Sequence, residues 1–90
     1  MITGTQIRSA RHALRWTTEQ LAKRAGVTAR TIKRFEAVDE VPPSRSSTLL
    51  EVKAALEAAG VEFIGSPTDR PGIRLTAQPP KTGSRKPSFR

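Results

Sequence analysis

The chain has no cysteine and no tyrosine, and its 90 residues include one histidine, one tryptophan and three phenylalanines. Without cysteine there can be no disulfide framework, no thiolate metal site and no cysteine nucleophile. The single histidine, His12, and the lack of any tight carboxylate cluster leave no ligand set for zinc or for an oxygen-bound cation, so neither metal nor cofactor is expected. No apolar run is long enough for a signal peptide or a membrane span. So few aromatics also argue against the stacking platforms of single-strand binders and against RNA-recognition sheets. No nucleophile–base pair and no phosphate-cradling glycine loop is present, which leaves enzyme function the weakest option. The length allows one small domain and a tail. The expectation is a soluble, cytoplasmic binding protein.

What the chain does have is positive charge, 16 Lys and Arg against 8 Asp and Glu, and the distribution is uneven. Residues 1–34 carry Arg8, Arg11, Arg15, Lys23, Arg24, Arg30, Lys33 and Arg34 against Glu19 alone, a net of +7. Residues 35–60 are net −3 and residues 61–90 net +4, the latter excess lying wholly in the last thirteen residues. A basic first half and a basic tail around an acidic middle point to a polyanion, most simply nucleic acid, although a merely solvated basic surface fits the composition equally well.

Spacing is more informative than composition. Thr3 precedes Gln6, and Thr17 precedes Gln20, by the three residues of a capping box. Each threonine follows an apolar residue that has a partner five positions on, Ile2 with Ile7 and Trp16 with Leu21, and Val27 with Ile32 repeats this around Thr28. These signals predict helices over about 4–14, 18–25 and 29–37, the second ending at Gly26. Pro42 and Pro43 then block continuation, and Ser46 or Ser47 is placed to cap a fourth helix over about 48–59, with Leu49, Val52 and Leu56 inward and Gly60 at its end. Val61 with Phe63, and Gly72 to Leu75, read as two short strands around the turn-rich GSPTDRPG. From Gln78 the chain is rich in proline, serine and basic residues, the composition of a disordered tail. The reading is therefore mainly α: a four-helix domain over residues 1–60, a β-hairpin extension over 61–77 and a basic tail over 78–90.

Within TEQLAKRAGVTARTIKRFEA, small Ala22 permits close crossing of a neighbouring helix, Gly26 opens a tight turn and Val27 fills the space beneath it. Ile32 and Phe35 pin the next helix to this one. The segment resembles the helix-turn-helix of the lambda-repressor-like (Cro-type, XRE) family of bacterial and phage regulators, over a motif of about 18–37 within a context of residues 2–59. The resemblance implies double-stranded DNA binding by the helix at 29–37, which would lie in the major groove with Thr28, Ala29, Arg30, Thr31 and Arg34 as base contacts. Helical phase independently turns Arg30, Lys33, Arg34 and Ala37 away from the Ile32 and Phe35 side. The alternative is an exposed basic face without base contact. Phosphates are expected at Thr17 and Thr18, where helix N–H groups and the dipole favour an anion, and at Lys33, Ser44, Arg45 and Ser46. Thr18 departs from the glutamine common in relatives, and Val38 from a common glycine. Glu36, the lone acid on this helix, is expected to pair with Arg11; His12 is expected in solvent and Trp16 in the core.

One recognition helix reads few base pairs, so a homodimer on an inverted-repeat operator is expected. Val61, Phe63, Ile64, Ile73 and Leu75 give the hairpin more apolar surface than it can bury alone, to be covered by its own domain or by a second subunit. For so small a chain, repression by promoter occlusion is the economical mechanism, as it needs no further domain, although contact with polymerase and activation stay open. Two other readings also stay open: an antitoxin-like or anti-activator protein whose main partner is another protein, and a nonspecific basic nucleic-acid binder.

Overall fold

A computed structural model of the chain describes residues 2–44 and 46–76. Arg45 and the tail therefore lie outside the described residues. The elements run in the order α1 (Gly4–Ala13), α2 (Thr18–Ala25), α3 (Ala29–Glu36), α4 (Ser46–Ala58), β1 (Val61–Ser66) and β2 (Asp69–Leu75).

The first two helices begin as their sequences dictate. Thr3 and Thr17 each accept a hydrogen bond from the backbone of Gln6 and Gln20, and each glutamine reaches back to the threonine N–H. Thr28 caps α3 with its hydroxyl alone, because Thr31 stands where the glutamine would be. Gly26 ends α2 at φ 74°, the left-handed conformation glycine adopts without penalty. The end of α1 carries no such sequence mark. Arg15 takes φ 61° there, Trp16 N–H donates to Arg11 O and Arg15 N–H donates to His12 O, the bond pattern of a Schellman motif with arginine in the glycine position.

Ile7, Ala10, Leu21, Ala22, Ile32, Phe35, Leu49, Val52 and Leu56 form one core that joins all four helices, and Ile2 and Val61 complete it. Packing is close where α1 meets the end of α3. A Cβ at Gly4 would strike the carbonyl oxygens of Phe35 and Val38, so this helix start admits no side chain. Gly4 N–H also donates to Glu40 O at 3.0 Å, fixing the segment that leaves α3.

Two sequence expectations need correction. The fourth helix starts at Ser46 and not Thr48, so Ser46 and Ser47 lie inside its first turn and neither precedes it as a cap. The GSPTDRPG segment is mostly strand and not mostly turn. β1 and β2 pair antiparallel from Val61 opposite Leu75 to Ser66 opposite Asp69, leaving only Pro67 and Thr68 between them. A bulge makes this possible. Gly65, at φ 77°, packs so tightly on Arg70 O that a Cβ there would overlap it, and the register shifts by one residue between Ile64 and Ser66, which accommodates Pro71 within the strand.

The hairpin packs on α1 and α4. Directly opposite residues share a face, so Val61, Leu75, Phe63 and Ile73 line one side, with Glu62, Arg74, Ile64 and Gly72 on the other. Gln6, buried at the start of α1, joins the hairpin to the helices. Its Oε1 accepts from Thr3 N–H, while its Nε2 donates to Ile64 O at 3.2 Å and Gly72 O at 2.9 Å. No helix among the described residues is long and apolar enough to cross a membrane.

Candidate nucleic-acid interface

The site is built on α3, whose two sides differ sharply in chemistry. Ile32 and Phe35 are fully buried, while Arg30, Lys33, Arg34 and Ala37 are exposed, as the helical phase requires. Thr28 is exposed and Ala29 and Thr31 are half-buried beside this row. Thr28 Oγ1 accepts from Thr31 N–H at 3.2 Å, and the two hydroxyls are hydrogen-bonded at 3.1 Å. The Arg34 guanidinium lies 5.8 Å from the Phe35 ring centroid, the outer edge of cation–π range.

Glu36 would put a negative charge on this basic helix, but it is turned inward at 8% exposure. Arg11 of α1 grips both carboxylate oxygens, Nε to Oε2 at 2.7 Å and Nη2 to Oε1 at 2.9 Å, and Nη1 donates to Trp16 O at 2.9 Å. One guanidinium thus ties α1, α3 and the connection to α2. The bond to Glu36 holds the Arg11 guanidinium above its ordinary pKa, against the opposing pull of burial. Arg8 donates to Glu36 O at 2.7 Å, satisfying a carbonyl at the end of α3.

The pairing of Arg11 with Glu36 follows the sequence expectation. The inward use of Arg8 does not, and neither does Arg24, which stacks 4.5 Å above the half-buried Trp16 ring. Three of the eight basic residues in the first 34 therefore brace the fold, which total charge could not reveal. His12 is exposed, as expected.

The start of α2, a candidate phosphate contact, already has several internal partners. Thr17 Oγ1 and N–H are both engaged with Gln20, and Thr18 donates its hydroxyl to Glu19 Oε1 at 3.1 Å. The exposed Glu19 carboxyl is held below its ordinary pKa chiefly by its own backbone N–H and then by Thr18, with the charges of Lys33 and Arg11 adding to the effect. Ser44 is exposed in the connection between α3 and α4, Ser46 is the first residue of α4, and Arg45 between them lies outside the described residues.

Of the hairpin residues expected at a dimer interface, Val61 belongs to the chain's own core and Phe63 and Ile73 pack against it. Ile64 is half-buried on the opposite face. Leu75, at 47% exposure, and Leu50 on α4, at 51%, are the large apolar side chains left in solvent among the described residues.

A capped helix, a glycine turn and a second helix with a buried apolar side and an exposed basic side define a helix-turn-helix DNA-binding unit. A family model for the helix-turn-helix domain matches residues 3–63. The chain belongs to this family, in the XRE, lambda-repressor-like class. No curated protein matches it significantly. Membership supports a DNA-binding regulator in general terms.

Proposed function

We propose that this chain is a sequence-specific, double-stranded DNA-binding transcription regulator, acting in the cytoplasm as a homodimer on an inverted-repeat operator. In this reading α3 lies in the major groove and Thr28, Ala29, Arg30, Thr31 and Arg34 meet base edges. Thr17, Thr18, Lys33, Ser44, Arg45 and Ser46 hold the flanking phosphates. Occupancy of a site that overlaps a promoter blocks polymerase, so the regulator represses.

The observation that carries the reading is the outward face of α3. Arg30, Lys33 and Arg34 are exposed there, and the one competing carboxylate is turned away and neutralised by Arg11. Dimerisation is supported by the exposure of Leu50 on α4 and Leu75 on β2, large apolar side chains that a second copy would cover. Two copies would present their recognition helices about 34–36 Å apart, one turn of DNA.

Selection of bound duplexes from a random pool tests the reading. One enriched inverted repeat, bound by two chains in sedimentation, is the expected result. Equal retention of all duplexes contradicts sequence-specific regulation. One chain per site contradicts the dimer.

A further inference from the structure

We infer that the operator half-site contains two G·C pairs within three consecutive base pairs, with a thymine methyl beside one of them. The inference rests on the base-reading role proposed for α3 and adds what that helix can recognise. Its sequence, Ala-Arg-Thr-Ile-Lys-Arg-Phe-Glu, holds no asparagine or glutamine, so the side-chain amide that pairs with adenine N6 and N7 is missing. Its one carboxylate, the acceptor that would take a cytosine amino group, is buried with both oxygens on Arg11. The hydroxyls of Thr28 and Thr31 are bonded to each other, and Thr28 Oγ1 also takes the Thr31 N–H. Beside the one hydroxyl hydrogen this leaves, the helix start presents the methyl groups of Thr28, Thr31 and Ala29, and a thymine methyl is their match.

The two arginines supply the rest. Arg30 and Arg34 are both exposed, and neither forms an ion pair among the described residues. Four residues apart, they project about 40° from each other around the helix and about 6 Å apart along it. Base pairs follow at about 3.4 Å, so for a helix running along the base-pair stack this separation is close to two steps. Arginine presents a planar fork that fits guanine O6 and N7 together. Lys33, a flexible point charge, suits a phosphate better than a base edge.

The test uses the whole protein and the duplexes it selects. The enriched half-site should contain the two G·C positions. Replacing either guanine by 7-deazaguanine, which removes N7 but keeps base pairing, should weaken binding about 5- to 100-fold. Arg30→Lys keeps the charge at an exposed position but loses the planar fork, so selection repeated with this variant should relax the preference at one of the two positions only. An enriched half-site made of A·T pairs, or guanines that tolerate 7-deazaguanine, overturns the inference and leaves sequence-specific binding standing. A pool with no enriched sequence overturns the proposed function itself.

Discussion

Glu36 shows how one side chain can serve both fold and surface. Buried with Arg11, it fixes where α3 sits, and by turning inward it removes a negative charge from the open basic face of that helix. Glu36→Gln keeps the shape but leaves Arg11 charged and nearly buried without its counter-ion. Breaking such a pair is strongly destabilising, and with the residual exposure here the loss should be about 2–4 kcal/mol in denaturant unfolding. A double-mutant cycle with Arg11→Met should return a large share of that as coupling. Glu19 supplies a second residue-scale prediction. Its folded pKa is depressed, so its small contribution to stability is present at neutral pH and is lost as pH falls through the acid range. A DNA phosphate held at the start of α2 would oppose the carboxylate, so its NMR titration midpoint should rise when duplex is bound. An unchanged midpoint would place the DNA backbone elsewhere. At this scale legibility was divided. Glu36 stood out in the sequence as the only acid on a basic helix, whereas nothing marked Arg8 or Arg24 as bracing residues, because their partners are a distant carbonyl and a ring that local pattern cannot locate.

The elements follow their local grammar closely wherever that grammar is short-range. Capping boxes, staples and Gly26 set α2 to the residue and α1 and α3 to within one, because every group involved lies within a few positions. The start of α4 lies two residues before the position its local signals indicate, because two serines offer equivalent caps and the helix absorbs both. The hairpin was underestimated because glycine and proline signal turns, yet here Gly65 and Pro71 accommodate a bulge within paired strands. Where the local grammar is broken the fold carries strain that can be relieved. Arg15→Gly at the end of α1 removes the left-handed penalty of a side chain at φ 61° and should raise stability by about 0.5–1 kcal/mol, read as a higher thermal midpoint with DNA binding retained. Gln6→Glu tests the junction between helix and hairpin. A carboxylate can still accept the Thr3 N–H but loses both donors to Ile64 O and Gly72 O, and faces two carbonyls instead. The expected cost is about 1–3 kcal/mol, with hydrogen exchange accelerating first in β1 and β2. Uniform acceleration across the helices would show that the hairpin does not depend on this residue.

As a whole, the molecule divides its positive charge between bracing and presentation. Arg8, Arg11 and Arg24 are engaged with a carbonyl, a carboxylate and a ring of the fold, whereas Arg30, Lys33 and Arg34 are aligned on one open face. The helix-turn-helix was legible in the sequence because each of its positions has a separate steric reason. The hairpin's surroundings were not, since Val61, Phe63 and Ile73 could equally have been covered by their own domain or by a second copy. The central claim is that the open face of α3 reads sequence and does not merely attract a polyanion. It is tested most directly by the ratio of affinities for the selected operator and for unrelated duplex, measured at fixed salt for the native chain, Arg30→Ala and Arg34→Ala. The account predicts a ratio reduced about 5- to 100-fold by each substitution, with binding to unrelated duplex falling far less. If both variants keep the native ratio and lose affinity equally for every duplex, α3 is not the reading element.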